Sequence, residues 1–130
     1  MGLALAASGC GSAHQQGTGR ALDVTERDFR ITAPATVAAG TVWLHVHNRG
    51  PDTHELLVVR APARGRVPLR ADGLTVDEER LDAATAGHLD GIPAGHDAGT
   101  ALHLSPGRYV LFCNMAGHYL GGMRRTLVVR

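Results

Sequence analysis

The chain has 130 residues, enough for one domain, and 44% of them are hydrophobic. One Trp, two Tyr and two Phe leave the core to rest on aliphatic side chains. A formal net charge of +1, with every strong base an arginine, offers no basic stripe for nucleic acid, and no run of 18 apolar residues exists to form a membrane-spanning helix.

Residues 1–10, M-G-L-A-L-A-A-S-G-C, are small and apolar and end at Cys10. They resemble the end of a bacterial lipoprotein signal peptide, in which a cysteine after small residues carries lipid. An ordinary cleaved signal peptide is the plainer reading of the same residues. Either implies export, to a periplasm or to the outer face of the cell membrane. Residues 11–22 are rich in Gly, Ser, Gln and Thr and read as a flexible tether, so the folded domain is expected over 23–130. A Cys10–Cys113 disulfide is not expected, because Cys113 sits inside a dense group of metal-ligating side chains.

Within the domain, Arg27–Thr32 is a short strand candidate, and A-P-A-T-V-A-A-G is a turn-rich link. Thr41–Asn48 alternates, with Val42, Leu44 and Val46 on one face and Trp43, His45 and His47 on the other. Asn48-Arg49-Gly50-Pro51-Asp52 is turn chemistry, and His54–Ala61 is the next strand. Residues 62–99 are rich in Pro, Gly, Arg and Asp and read as an insertion. They carry one helix candidate, Val76–Ala86, with Thr75 and Glu78 spaced as a capping box. Strands follow over Thr100–Leu104, Arg108–Cys113 and Met123–Arg130. Short strands joined by turns, without a βαβ rhythm, predict an all-β sandwich with one short helix. Tyr109, just after Pro-Gly-Arg, is placed either to close a Greek-key corner through its hydroxyl or simply to fill the core.

The segment Cys113 to Met123, C-N-M-A-G-H-Y-L-G-G-M, carries the chemistry. Cys113, His118 and Met123 fall at equal spacings of five, which suits neither a helix nor a strand, so this is a loop with a strand at each end. A thiolate with imidazoles and one thioether is a soft, mixed donor set. Zinc rarely takes a thioether, and calcium and magnesium want oxygen. A His₂Cys set with a weak axial Met is the blue-copper pattern. The loop holds one histidine, so a second must come from a neighbouring strand, and His54 fits.

These segments, N-R-G-P-D-T-H-E-L-L-V-V and L-S-P-G-R-Y-V-L-F-C-N-M-A-G-H-Y-L-G-G-M-R-R-T-L-V-V, resemble the cupredoxins. The four-residue gaps on both sides of His118 are most similar to those of rusticyanin and sulfocyanin. The resemblance implies a Greek-key β-sandwich with one copper ion, held by His54, Cys113 and His118 equatorially and by Met123 axially. It also implies a Glu55 N–H donor to the Cys113 sulfur and a loop braced by Asn48. The protein so described is a monomeric electron carrier that works with redox partner proteins. A copper delivery or storage module is the alternative, though it would usually show Met-rich or Cys-pair sites. Catalysis is not expected: copper nitrite reductases and multicopper oxidases need further copper sites, and the binuclear centre of cytochrome oxidase needs a second loop cysteine.

Other readings of the same residues remain open. Cys113 alone would suit a buried structural cysteine, or a nucleophile paired with His118. Met115 is a rival axial ligand. His45 and His47 form H-x-H, a second metal site or a solvent-facing pair. Arg60, Arg64, Arg66 and Arg70 form either a docking patch for an acidic partner or a solvated loop.

Overall fold

A computed structural model describes residues 20–63 and 66–130. The Cys10 segment and Arg64 therefore lie outside the described residues.

Among the described residues, nine strands form two sheets: β1 (Arg20–Arg27), β2 (Arg30–Thr32), β3 (Thr36–Val37), β4 (Gly40–Asn48), β5 (His54–Arg60), β6 (Thr85–Ile92), β7 (Asp97–Leu104), β8 (Gly107–Phe112) and β9 (Arg124–Val129). One sheet has the order β2-β1-β4-β7, the other β3-β9-β8-β5-β6. The sheets face each other as a β-sandwich, as the spacing of strands and turns predicts. β4 shows why the alternation matters. Val42, Leu44 and Val46 are fully buried between the sheets, while Trp43 and His45 lie on the outer face. Tyr109 closes the corner before β8: its hydroxyl donates to the Ser105 carbonyl at 3.0 Å, and the Arg60 guanidinium lies over its ring.

Four expectations need correction. β1 begins at Arg20 with Leu22 buried, so the strand reaches into the stretch read as tether; Leu22 lies opposite Leu44 of β4 and is held by that pairing. Arg27–Thr32 is not one strand but the end of β1, a turn at Asp28-Phe29 and β2, because Phe29 takes φ 60°. The helix is shorter than expected, a 3-10 turn over Glu79–Ala84. Its expected capping box does not form, because Thr75 donates to the Asp72 carboxylate and Glu78 accepts from Asn114. Finally, the later part of the stretch read as insertion carries sheet: β6 pairs with β5, and β7 starts at Asp97 rather than at Thr100.

The part of the insertion before β6 has a structural role. Val67, Val76 and Leu81 pack on Leu57, Val59 and Phe112, forming a second apolar cluster on the outer face of the five-stranded sheet. β5 is thus buried on both faces, which explains its unbroken Leu56-Leu57-Val58-Val59 run.

Candidate metal centre

Strand register brings the predicted residues to one end of the sandwich. β5 and β8 are antiparallel with Leu57 opposite Phe112, so the start of β5 lies beside the end of β8. β8 and β9 pair with Phe112 opposite Arg124, which leaves residues 113–123 as the loop between them. The end of β4, at Asn48, and the Asp28-Phe29 turn after β1 arrive at the same place, because β1 and β4 run parallel with Glu26 opposite Asn48.

The loop is tied to itself. The Cys113 N–H donates to the Met123 carbonyl at 3.1 Å, the Met123 N–H to His118 at 3.0 Å, and the His118 N–H to Met115 at 2.9 Å. It is also tied to the insertion. Asn114 exchanges hydrogen bonds with the backbone of Val76 and donates to Glu78, and the Gly117 N–H donates to the Leu74 carbonyl. The apolar packing of residues 66–84 is thereby transmitted to the loop. Sequence reading passed over Asn114; a polar residue directly after a buried cysteine was the available signal.

Cys113, Met123 and His54 are fully buried, and His118 is 8% exposed. The Cys113 sulfur lies 3.7 Å from His118 Nδ1. Burial pushes the Cys113 thiol up to about 11; the Glu55 and Met115 N–H groups pull it down, and the charges of Glu26 and Glu55 push it up again. Glu55 thus has the place expected of a donor to the sulfur. Met115, the rival axial residue, is 39% exposed, whereas Met123 packs in the same cluster as Cys113.

Asn48 braces the site through four contacts. Its amide donates to the carbonyls of Asp52 and Ile92, and its oxygen accepts from the Gly50 N–H and faces His54 Nδ1 at 2.9 Å. The other His54 nitrogen, Nε2, faces Asp28 Oδ1 at 2.9 Å. Burial lowers the His54 pKa, against the raising effect of the Asp28 carboxylate. Partial desolvation raises Asp28, but hydrogen bonds from the Asp52 N–H and from His54 outweigh it and hold the carboxyl below its ordinary range. A neutral imidazole has one N–H and two oxygens to face, so one nitrogen lone pair meets an oxygen lone pair. In that neutral form His54 keeps one unprotonated, poorly satisfied nitrogen in a buried place, the form in which an imidazole ligates metal. The donor set of thiol, imidazoles and thioether fits a soft metal ion. Both His54 nitrogens face Asn48 and Asp28, and among the described residues no three His, Cys, Asp or Glu side chains converge on a point.

Phe29 is the other residue that sequence reading missed. Half-exposed, it stacks edge-on against His118, with ring centroids 5.4 Å apart. Gly121 permits this, since a Cβ there would collide with the Phe29 ring. Together with Met115 and Leu120 it makes an exposed apolar patch around the His118 edge. His45 and His47 sit on the outer face of β4 between Asp23 and Asp97. The His47–Asp97 contact is 3.0 Å but is off-line for a hydrogen bond.

A family model described as the sulfocyanin (SoxE) domain matches residues 13–130. The chain belongs to the sulfocyanin family of cupredoxins. No curated protein matches it. Similar solved structures include dithionite-reduced auracyanin from the photosynthetic bacterium Roseiflexus castenholzii, 16% identical with a TM-score of 0.63, covering 88% of this chain and 99% of that one. An azurin from Methylomonas sp. strain J is 18% identical with a TM-score of 0.62, covering 85% and 98%. Rusticyanin from Thiobacillus ferrooxidans is 16% identical with a TM-score of 0.59, covering 87% and 79%. At such identities the likeness of these structures to this cupredoxin speaks for the fold alone.

Proposed function

We propose that this cupredoxin is an exported one-electron carrier with a single type 1 copper, which His54, Cys113, His118 and Met123 would hold. The observation that carries this reading is the buried Cys113 thiol 3.7 Å from His118 Nδ1, on a loop whose far end buries Met123. Copper supplies a one-electron couple. The protein supplies a loop closed by its own backbone bonds and clamped by Asn114, so the ligands keep their positions when the charge changes and little reorganisation is needed. Ligation by Cys113 would displace the thiol proton, and ligation by His54 would exchange one of its present oxygen partners for the metal. The remaining partner, Asn48 or Asp28, would then hold the other nitrogen of that ring, as supporting groups around metal ligands do. The Cys10 segment, read as an export signal or lipid anchor, supports a place in the periplasm or on the outer face of the cell membrane.

The rival reading is copper delivery or storage. Repeated voltammetric cycling in the presence of a Cu(I) chelator separates the two: a carrier keeps its copper and its signal, and a delivery protein surrenders both. Met123→Gln is expected to lower the potential by stabilising Cu(II), because an amide oxygen is a harder donor than a thioether. An unchanged potential on a copper-loaded variant would remove Met123 from the ligand set.

A further inference from the structure

The structure divides the arginine run noted in the sequence. Arg60 turns to the Pro106 carbonyl and to Tyr109. Arg66 instead joins Arg108, Arg124 and Arg125 around a cleft of about 490 Å³ between the start of the insertion and strands β8 and β9, with Val110 and Tyr119 in its wall. Among the described residues no carboxylate lines this cleft, and none of the four guanidinium groups forms an ion pair. Arg124 is held by the Tyr119 carbonyl and lies over the Tyr119 ring.

We propose that the cleft is the docking site for a carboxylate-rich surface segment of a partner protein. Four like charges around one cleft repel one another, and nothing in the described chain offsets them. The net charge of only +1 means that this is a local concentration rather than a general excess. Such a cleft focuses a positive field, raises the association rate of an acidic partner and favours correct orientation. Guanidinium groups suit carboxylates in particular, because their planar fork pairs with both oxygens. The apolar walls at Val110 and Tyr119 favour a polypeptide over a polyphosphate, since only the former brings apolar side chains between its acids. The position gives the docking a purpose, which rests on the carrier reading above. Tyr119 follows His118 and Arg124 follows Met123, so a segment seated here places the partner surface against the ligand loop.

Fluorescence anisotropy with a labelled decapeptide of alternating Glu and Leu tests the proposal on the full chain, both copper-loaded and metal-free. Wild type should bind at low salt and weaken several-fold as ionic strength rises to about 0.15 M. Arg66→Ser with Arg108→Ser should weaken binding about tenfold, and Arg125→Glu should do the same, whereas Arg27→Ser, outside the cleft, should not. All of these side chains are exposed, and an unchanged far-UV spectrum shows that each variant is folded. Equal affinity of wild type and the cleft variants would overturn the proposal, as would binding of inorganic polyphosphate or anionic vesicles in preference to the peptide. Because the readout needs no electron transfer, cleft binding by a protein that fails as a carrier would overturn only the carrier reading.

Discussion

Metal-free protein is expected to lose on the order of 4 kcal/mol of stability as the pH rises from 4.5 to 8, and Glu26→Gln is expected to remove the larger part of that loss. Glu26 is fully buried near the end of β1, and neither carboxyl oxygen has a hydrogen-bond partner. Burial first, and then the neighbouring Glu55 charge, push its pKa from 4.5 up to about 8. In this interval the folded state keeps a proton that the unfolded chain has released. The contribution is therefore fully present below pH 4.5 and gone above about pH 8. A shift of this size, at about 1.36 kcal/mol per unit, sets the magnitude. Glu55 is raised as well, mainly by burial, and adds a loss of the same sign. Glutamine keeps the shape without the charge. Urea unfolding of metal-free wild type and variant at pH 4.5 and pH 8 measures the effect. Equal pH slopes in the two proteins would show that Glu26 is ionised in the fold.

Leu120→Lys should slow electron self-exchange about tenfold and leave the visible spectrum nearly unchanged. Leu120 is 48% exposed, and Phe29 and Met115 complete the apolar surround of the His118 edge. In self-exchange this patch meets its own copy, so each added lysine faces another. A charge placed at a fully desolvated contact costs ~2–5 kcal/mol, and less in a small, wet interface; about 1.4 kcal/mol corresponds to tenfold. Line broadening between reduced and oxidised protein reports the rate. Exchange as fast as in wild type would move the electron port away from His118 and towards the arginine cleft.

Much of this architecture is written locally in the sequence. Val42, Leu44 and Val46 alternate because one face of β4 meets the core and the other meets water. The equal spacings of Cys113, His118 and Met123 mark a loop with two fixed ends, and the backbone bonds that close it are local too. What escaped reading depends on distant parts of the chain. β6, T-A-G-H-L-D-G-I, is poor in strand-forming residues and exists because β5 offers it a partner edge. Thr75 and Glu78 have capping-box spacing, but Asp72 and Asn114 offer them other partners. Phe29 reaches His118 only through a positive φ that no periodicity announces. Glu26 looks like one more polar residue in T-E-R, and only the packing of the sheets makes it a buried acid. The unbroken Leu56–Val59 run reads from sequence only as a strand; its lack of alternation reflects cover on both faces, and the outer cover is the insertion whose role the sequence left open.

The visible spectrum of the copper-loaded protein tests the central claim most directly. Thiolate ligation by Cys113 with His54, His118 and Met123 predicts one copper per chain. It also predicts an intense visible charge-transfer band that disappears on reduction, returns on oxidation and is absent in a folded Cys113→Ser variant. A stoichiometrically loaded wild-type sample with no strong visible band, or with a band that survives in Cys113→Ser, would contradict it.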